Sequence, residues 1–123
     1  MTVLAQLNPA AGGVLAYLGT FLLAALFYTL TAHIAARYVL GTVPLKRAAI
    51  VGLVPAAIAL LLQQYGPAIV IAVSLAADFL AIRVVYRLKY RTTTLVAVAH
   101  YTVSALLGIT IFNLVSLLGT APG

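Results

Sequence analysis

Asp78 is the only acidic residue in the chain, and it lies inside an apolar run, nine residues before Arg87. On a helix that separation is about 13 Å. A carboxylate so far from water is costly unless it is paired or serves a purpose. Its own helix offers no partner, because Arg83 and Arg87 follow at five and nine residues, roughly 140° and 180° around the axis. The partner must come from another segment. With Lys89 taken as the centre of a turn, His100 lies as many residues beyond it as Asp78 lies before it, so the two share a depth on antiparallel helices. Tyr28, nine residues before Arg37, reaches a similar depth. A buried cluster of Asp78, His100 and Tyr28 is therefore expected.

Two chemistries suit such a cluster. A carboxyl group that is costly to ionise in hydrocarbon, beside an imidazole that gains and loses a proton near neutrality, makes a proton or cation relay. The same groups can instead form an interhelical hydrogen bond, worth about 1 kcal/mol or less net, that fixes which helices pair. Asn113 falls roughly 140° around the helix from His100 and does not extend a path. His33, one turn before Arg37, reads as a solvated flank, and two histidines without cysteine or carboxylate companions predict no metal site. Tyr38, Tyr65, Tyr86 and Tyr90 fall near span ends, as an interfacial aromatic belt does. Tyr17 and Tyr101 lie deeper and require hydrogen-bond partners.

The elements that must position these residues follow from composition. The chain is 65% hydrophobic and only 7% charged, with a mean hydropathy of +1.20, whereas soluble domains carry about 25% charged residues. The expectation is an all-α polytopic integral membrane protein, a four-helix transmembrane bundle, multi-pass in the cell membrane. Residues 1–123 form one domain with spans at about 13–36, 48–62, 67–87 and 92–118. Pro55 is expected to kink the second span, which is the shortest. The fourth, at about 40 Å, must tilt or protrude. No positive segment precedes the first span, so it is read as permanent rather than as a cleaved signal, and residues 119–123 read as a frayed end.

All seven basic residues fall in two clusters, Arg37, Lys46 and Arg47, then Arg83, Arg87, Lys89 and Arg91. Basic residues are retained on the cytoplasmic side, so 37–47 and 88–91 are predicted cytoplasmic turns, with the N-terminus and C-terminus outside. The uncharged Gln63–Pro67 turn takes the opposite side. Seven charges on one side and none on the other argue against dual-topology multidrug exporters and fluoride channels of similar length. The chain also has no glutamate for an exporter-type first span. The net charge of +6 flanks spans rather than forming a soluble stripe, so lipid headgroups, not nucleic acid, are the expected partners, and all seven basic residues are candidate headgroup contacts. Absence of cysteine removes disulfides and thiolate sites. High alanine usage, with arginine preferred to lysine, suggests a prokaryote with GC-rich coding.

Small residues recur every fourth position at Ala16, Thr20, Ala24; Ala48, Gly52, Ala56; Ala68, Ala72, Ala76; and Ser104, Gly108. Such stripes let helix backbones approach closely in lipid, and a stripe unused inside the bundle is available to a second copy or another protein.

There is no phosphate loop, nucleophile elbow, paired carboxylate or metal-ligand spacing, so neither a catalytic residue nor a cofactor is expected. The run Leu40-Gly41, Leu45-Lys46-Arg47-Ala48, Gly52 and Pro55, followed by a basic end of the third span and an apolar fourth, resembles the Yip1-type integral membrane domain over about residues 33 to 118. The chain departs from that pattern in having four spans rather than five and no long N-terminal segment. The resemblance implies a non-enzymatic membrane organiser or accessory subunit. Taken alone, the sequence favours a non-catalytic accessory or scaffolding component that self-associates or joins a larger membrane complex. The alternatives are a homo-oligomeric proton- or cation-conducting channel or carrier using Asp78 and His100, and a lipid-binding protein with a basic rim.

Overall fold

Apolar runs broken by Gly-Thr-Val-Pro, Gly-Pro and a basic turn dictate helices joined by tight turns. The computed structural model describes residues 9–120, with side chains from Gly13 onward. The helices are α1 (Pro9–Leu40), α2 (Leu45–Leu62), α3 (Pro67–Tyr86) and α4 (Tyr90–Thr120), with a 3₁₀ turn at Gln63–Tyr65. From Gly13 onward all four are long and apolar enough to cross a membrane. Gly13 itself has φ 77° and breaks the first turn from the rest of α1. Among the described residues of α4, Gly119 and Thr120 are helical rather than frayed; the remainder of the expected frayed end, and the stretch read for a signal, lie largely outside the described residues.

The turns differ in detail from a reading by charge. α1 runs through Arg37 to Leu40, and the Gly41 amide, at φ 87°, donates to the Arg37 carbonyl (3.1 Å). Gly41–Pro44 alone makes the turn, and Lys46 and Arg47 already belong to the first turn of α2. Pro44 precedes α2, where its fixed φ suits the helix start. At the other basic turn Arg87 ends α3 at φ 55°, the left-handed position that glycine usually fills, and the Leu88 amide donates to the Arg83 carbonyl (3.0 Å). Gly66, at φ 95°, and Pro67 start α3. Pro55 sits inside an uninterrupted α2 and is buried.

Successive helices run antiparallel, so both basic turns lie at one end of the bundle and Gln63–Pro67 at the other. α2 packs between α1 and α3, and α4 closes against α1. The stripe Ala48, Gly52, Ala56 is buried. A Cβ at Gly52 would stand 2.6 Å from the Thr29 amide nitrogen, so α1 and α2 touch backbone to backbone there. The stripe Ala68, Ala72, Ala76 faces outward instead.

The tight core lies in the half nearer the basic turns. It comprises Ala32 and Ala36 on α1, Ala48 and Val51 on α2, Ile82 and Tyr86 on α3, and Val96 and Ala97 on α4. Outside the core the surface is leucine, isoleucine and valine, with Leu22, Leu26 and Leu30 exposed on α1 and Leu106, Ile109 and Leu117 on α4. A water-soluble chain rarely exposes so continuous an apolar surface.

Candidate functional site

At the end of the packed core nearer Gln63–Pro67, three polar side chains from three helices meet. Asp78 of α3 and His100 of α4 are each 2% exposed. Asp78 Oδ2 stands 2.5 Å from His100 Nδ1. The other ring nitrogen, Nε2, is 2.9 Å from Oγ1 of Thr31 on α1, which is fully buried. Thr31 Oγ1 in turn donates to the Tyr28 carbonyl at 3.1 Å.

The Thr31 hydroxyl, with its single proton, lies within hydrogen-bond distance of both the Tyr28 carbonyl and the imidazole Nε2, and the donor and acceptor roles of the ring follow its tautomer. The contact between Nδ1 and Oδ2 offsets part of the cost, several kcal/mol, of burying a carboxylate among apolar helices.

The expected trio is thus altered at one member. Asp78 and His100 meet directly, but the Tyr28 hydroxyl is not in the network; Tyr28 contributes its carbonyl, and its ring sits edge-on to the imidazole with centroids 6.3 Å apart. Thr31 takes the third place. The discrepancy comes from the depth marker: α1 continues past Arg37, and the turn begins at Gly41, ten residues after Thr31. Asp78 and His100 each lie eleven residues from Lys89, so counting from the turn rather than from the charge would have selected Thr31.

Asp78 Oδ1 is buried and has no hydrogen-bond partner among the described residues, and the same holds for Ser104 Oγ. Both residues line a cavity of about 200 Å³ with Tyr28, Ser74, Leu75 and Tyr101. Tyr101 finds the partner it needs by donating to the Leu75 carbonyl at 2.6 Å. Gln63 Nε2 donates to the Tyr17 hydroxyl (3.3 Å), tying α1 to the far turn.

The chain belongs to a family of unknown function, DUF7473. The family's sequence profile spans residues 11–122, and so takes in all four helices and every member of the buried network. No curated protein and no solved structure matches the chain.

The remaining candidates are dispersed. Arg37, Lys46, Arg87, Lys89 and Arg91 are exposed, Arg47 and Arg83 half-buried, all at the end with the basic turns. The Arg83 guanidinium lies 4.0 Å over the Tyr90 ring, and Phe79 stacks on that ring from α3. His33 is half-buried rather than solvated, with Nδ1 enclosed and unpartnered. Among the described residues no three His, Cys, Asp or Glu side chains are grouped to hold a metal. Asn113 is exposed, remote from the network.

Proposed function

We propose that the protein is a multi-pass integral membrane protein, with its basic turns in the cytoplasm and both termini outside, that binds and passes protons or a monovalent cation at Asp78 and His100. The observation that carries this reading is the state of Asp78. One oxygen is engaged by His100, while the other is buried and free of any donor among the described residues, and Asp78 lines a cavity. A helix-pairing clamp needs the first contact only. A buried carboxylate oxygen without a partner, on a residue that lines a cavity in an apolar bundle, is costly and characteristic of ion and proton sites. The surrounding leucine-rich surface, four span-length helices and one-sided basic turns support the membrane placement.

The test is flux. Protein reconstituted into sealed vesicles with an internal pH dye is challenged with a potassium diffusion potential, then with a sodium gradient. Wild type should move protons or sodium faster than empty vesicles, and Asp78→Asn should fall to the empty-vesicle rate while eluting as wild type does in detergent. Flux equal to that of empty vesicles in both regimes removes this reading.

A second reading, a non-enzymatic accessory or scaffolding component, is favoured by the outward-facing Ala68, Ala72, Ala76 stripe, which is unused inside the bundle. The Yip1-type resemblance points the same way. Native mass after gentle extraction tests it: a stoichiometric foreign subunit supports the accessory role, and a homo-oligomer or monomer speaks for the first reading.

A further inference from the structure

The cavity beside Asp78 is directional. On α3 its lining climbs from Asp78 through Ser74 and Leu75 to Val70 and Ile71, a single stripe ending one turn from Pro67. Ser104 on α4, and Pro55 and Ala59 on α2, also lie on the Gln63–Pro67 side of the triad. In the opposite direction the path meets Ala32, Ala36, Val51, Ile82, Val96 and Ala97, all buried and packed together. The hydrogen-bond chain ends there too, at the Thr31 hydroxyl and the Tyr28 backbone carbonyl beside it. The cavity beside the buried Asp78 thus extends toward one end of the bundle, with Ile71 and Leu75 of its wall exposed, and the packed core lies toward the other.

The chemistry at the blind end selects by charge. Asp78 is the only acid in the chain, and no lysine or arginine is among the residues that line the cavity: α1 presents Tyr28, α2 Pro55 and Ala59, α3 Ser74 and Leu75, and α4 His100, which is engaged at the other carboxyl oxygen, with Tyr101 and Ser104. A carboxylate and hydroxyl-bearing side chains lining one cavity with two tyrosines attract a positive ion. One carboxylate does not offset a divalent ion in an apolar bundle, and calcium or magnesium sites draw on several oxygen ligands and commonly on more than one carboxylate. A volume near 200 Å³ admits a small cation with several of its waters.

We propose that this cavity is a one-sided vestibule that admits small monovalent cations from the Gln63–Pro67 end to Asp78 Oδ1. It rests on the relay reading above and adds to it the side of access and the charge class. Since the chain has no cysteine, thiols can be introduced singly. Ser74→Cys and, on the wall nearer the mouth, Ile71→Cys are placed in sealed vesicles of known orientation and treated from each side with a small trimethylammonium or sulfonate methanethiosulfonate. Ser74→Cys should react from one side only, at least about tenfold faster with the cationic reagent, and adding Asp78→Asn should abolish that preference. Val96→Cys should resist both reagents from both sides.

Equal rates for the two charges, reaction from both sides, or reaction solely with an uncharged lipid-soluble maleimide overturns the vestibule. In the last case the cavity is a furrow filled by lipid. Should Asp78→Asn fail to fold, the cationic-to-anionic ratio at Ser74→Cys and Ile71→Cys in the otherwise natural chain decides alone. One-sided, cation-selective labelling without flux leaves the vestibule standing and removes the transport reading. Asp78-dependent flux without such labelling does the reverse.

Discussion

Thr31 and Asp78 never touch, yet each is hydrogen-bonded to the same imidazole, Thr31 at Nε2 (2.9 Å) and Asp78 at Nδ1 (2.5 Å). His100 therefore joins α1 to α3 through a ring belonging to α4. Thr31 Oγ1 also lies 3.1 Å from the Tyr28 carbonyl, so the network ends on the backbone of α1.

Removing the Thr31 hydroxyl should leave Nε2 of His100 buried without its partner. Thr31→Val keeps the shape and should cost about 1–3 kcal/mol, the penalty for an unsatisfied buried polar group. Thr31→Ser should stay within about 0.5 kcal/mol of wild type, because the hydroxyl persists. Unfolding in mixed micelles by SDS titration measures both, and equal stability of the valine and serine variants would show that the ring makes no such bond.

The Asp78–His100 contact predicts strong non-additivity. Each single alanine substitution strands a buried partner and should destabilise by about 3–5 kcal/mol, whereas the double variant leaves no orphan. The double-mutant cycle, read by the same titration, should give a coupling of at least about 1 kcal/mol. Additive costs would mean that the two side chains are independent.

Much of this arrangement is legible in residue order. Apolar runs and their breakers give the four helices, and equal spacing about Lys89 brings Asp78 to His100. What hides Thr31 is that charge was used to mark the end of the first helix, although a basic residue can lie a full turn inside a helix, as Arg37 does. Backbone geometry at Gly41, not charge, ends α1. The stripes show the same limit: Ala48–Gly52–Ala56 and Ala68–Ala72–Ala76 have one periodicity, and only three-dimensional packing makes the first an interior face and the second an exterior one. The free oxygen of Asp78 is likewise a property of what surrounds it, and no spacing encodes it.

Two glycines should respond oppositely to one added methyl group. At Gly52 the new Cβ would press on the Thr29 backbone at 2.6 Å, so α1 and α2 must part, and Gly52→Ala should cost about 1–3 kcal/mol. At Gly108 no described atom outside its own helical turn lies within 4 Å of the added Cβ, so Gly108→Ala should be neutral or slightly stabilising through helix propensity. Comparable losses at both positions would contradict the close approach of α1 and α2.

Orientation can be read at the two ends of the bundle. Gln64, in the uncharged turn, and Lys89, in the second basic turn, are both exposed and lie at opposite ends. With basic turns retained in the cytoplasm, Gln64→Cys in intact cells should react with an impermeant maleimide added outside, and Lys89→Cys only after the membrane is permeabilised. The substitution at Lys89 removes one of seven basic charges and leaves six to hold the topology. The reverse pattern would invert the orientation and put the mouth of the Asp78 cavity in the cytoplasm, while leaving the bundle and its hydrogen-bond network as they are.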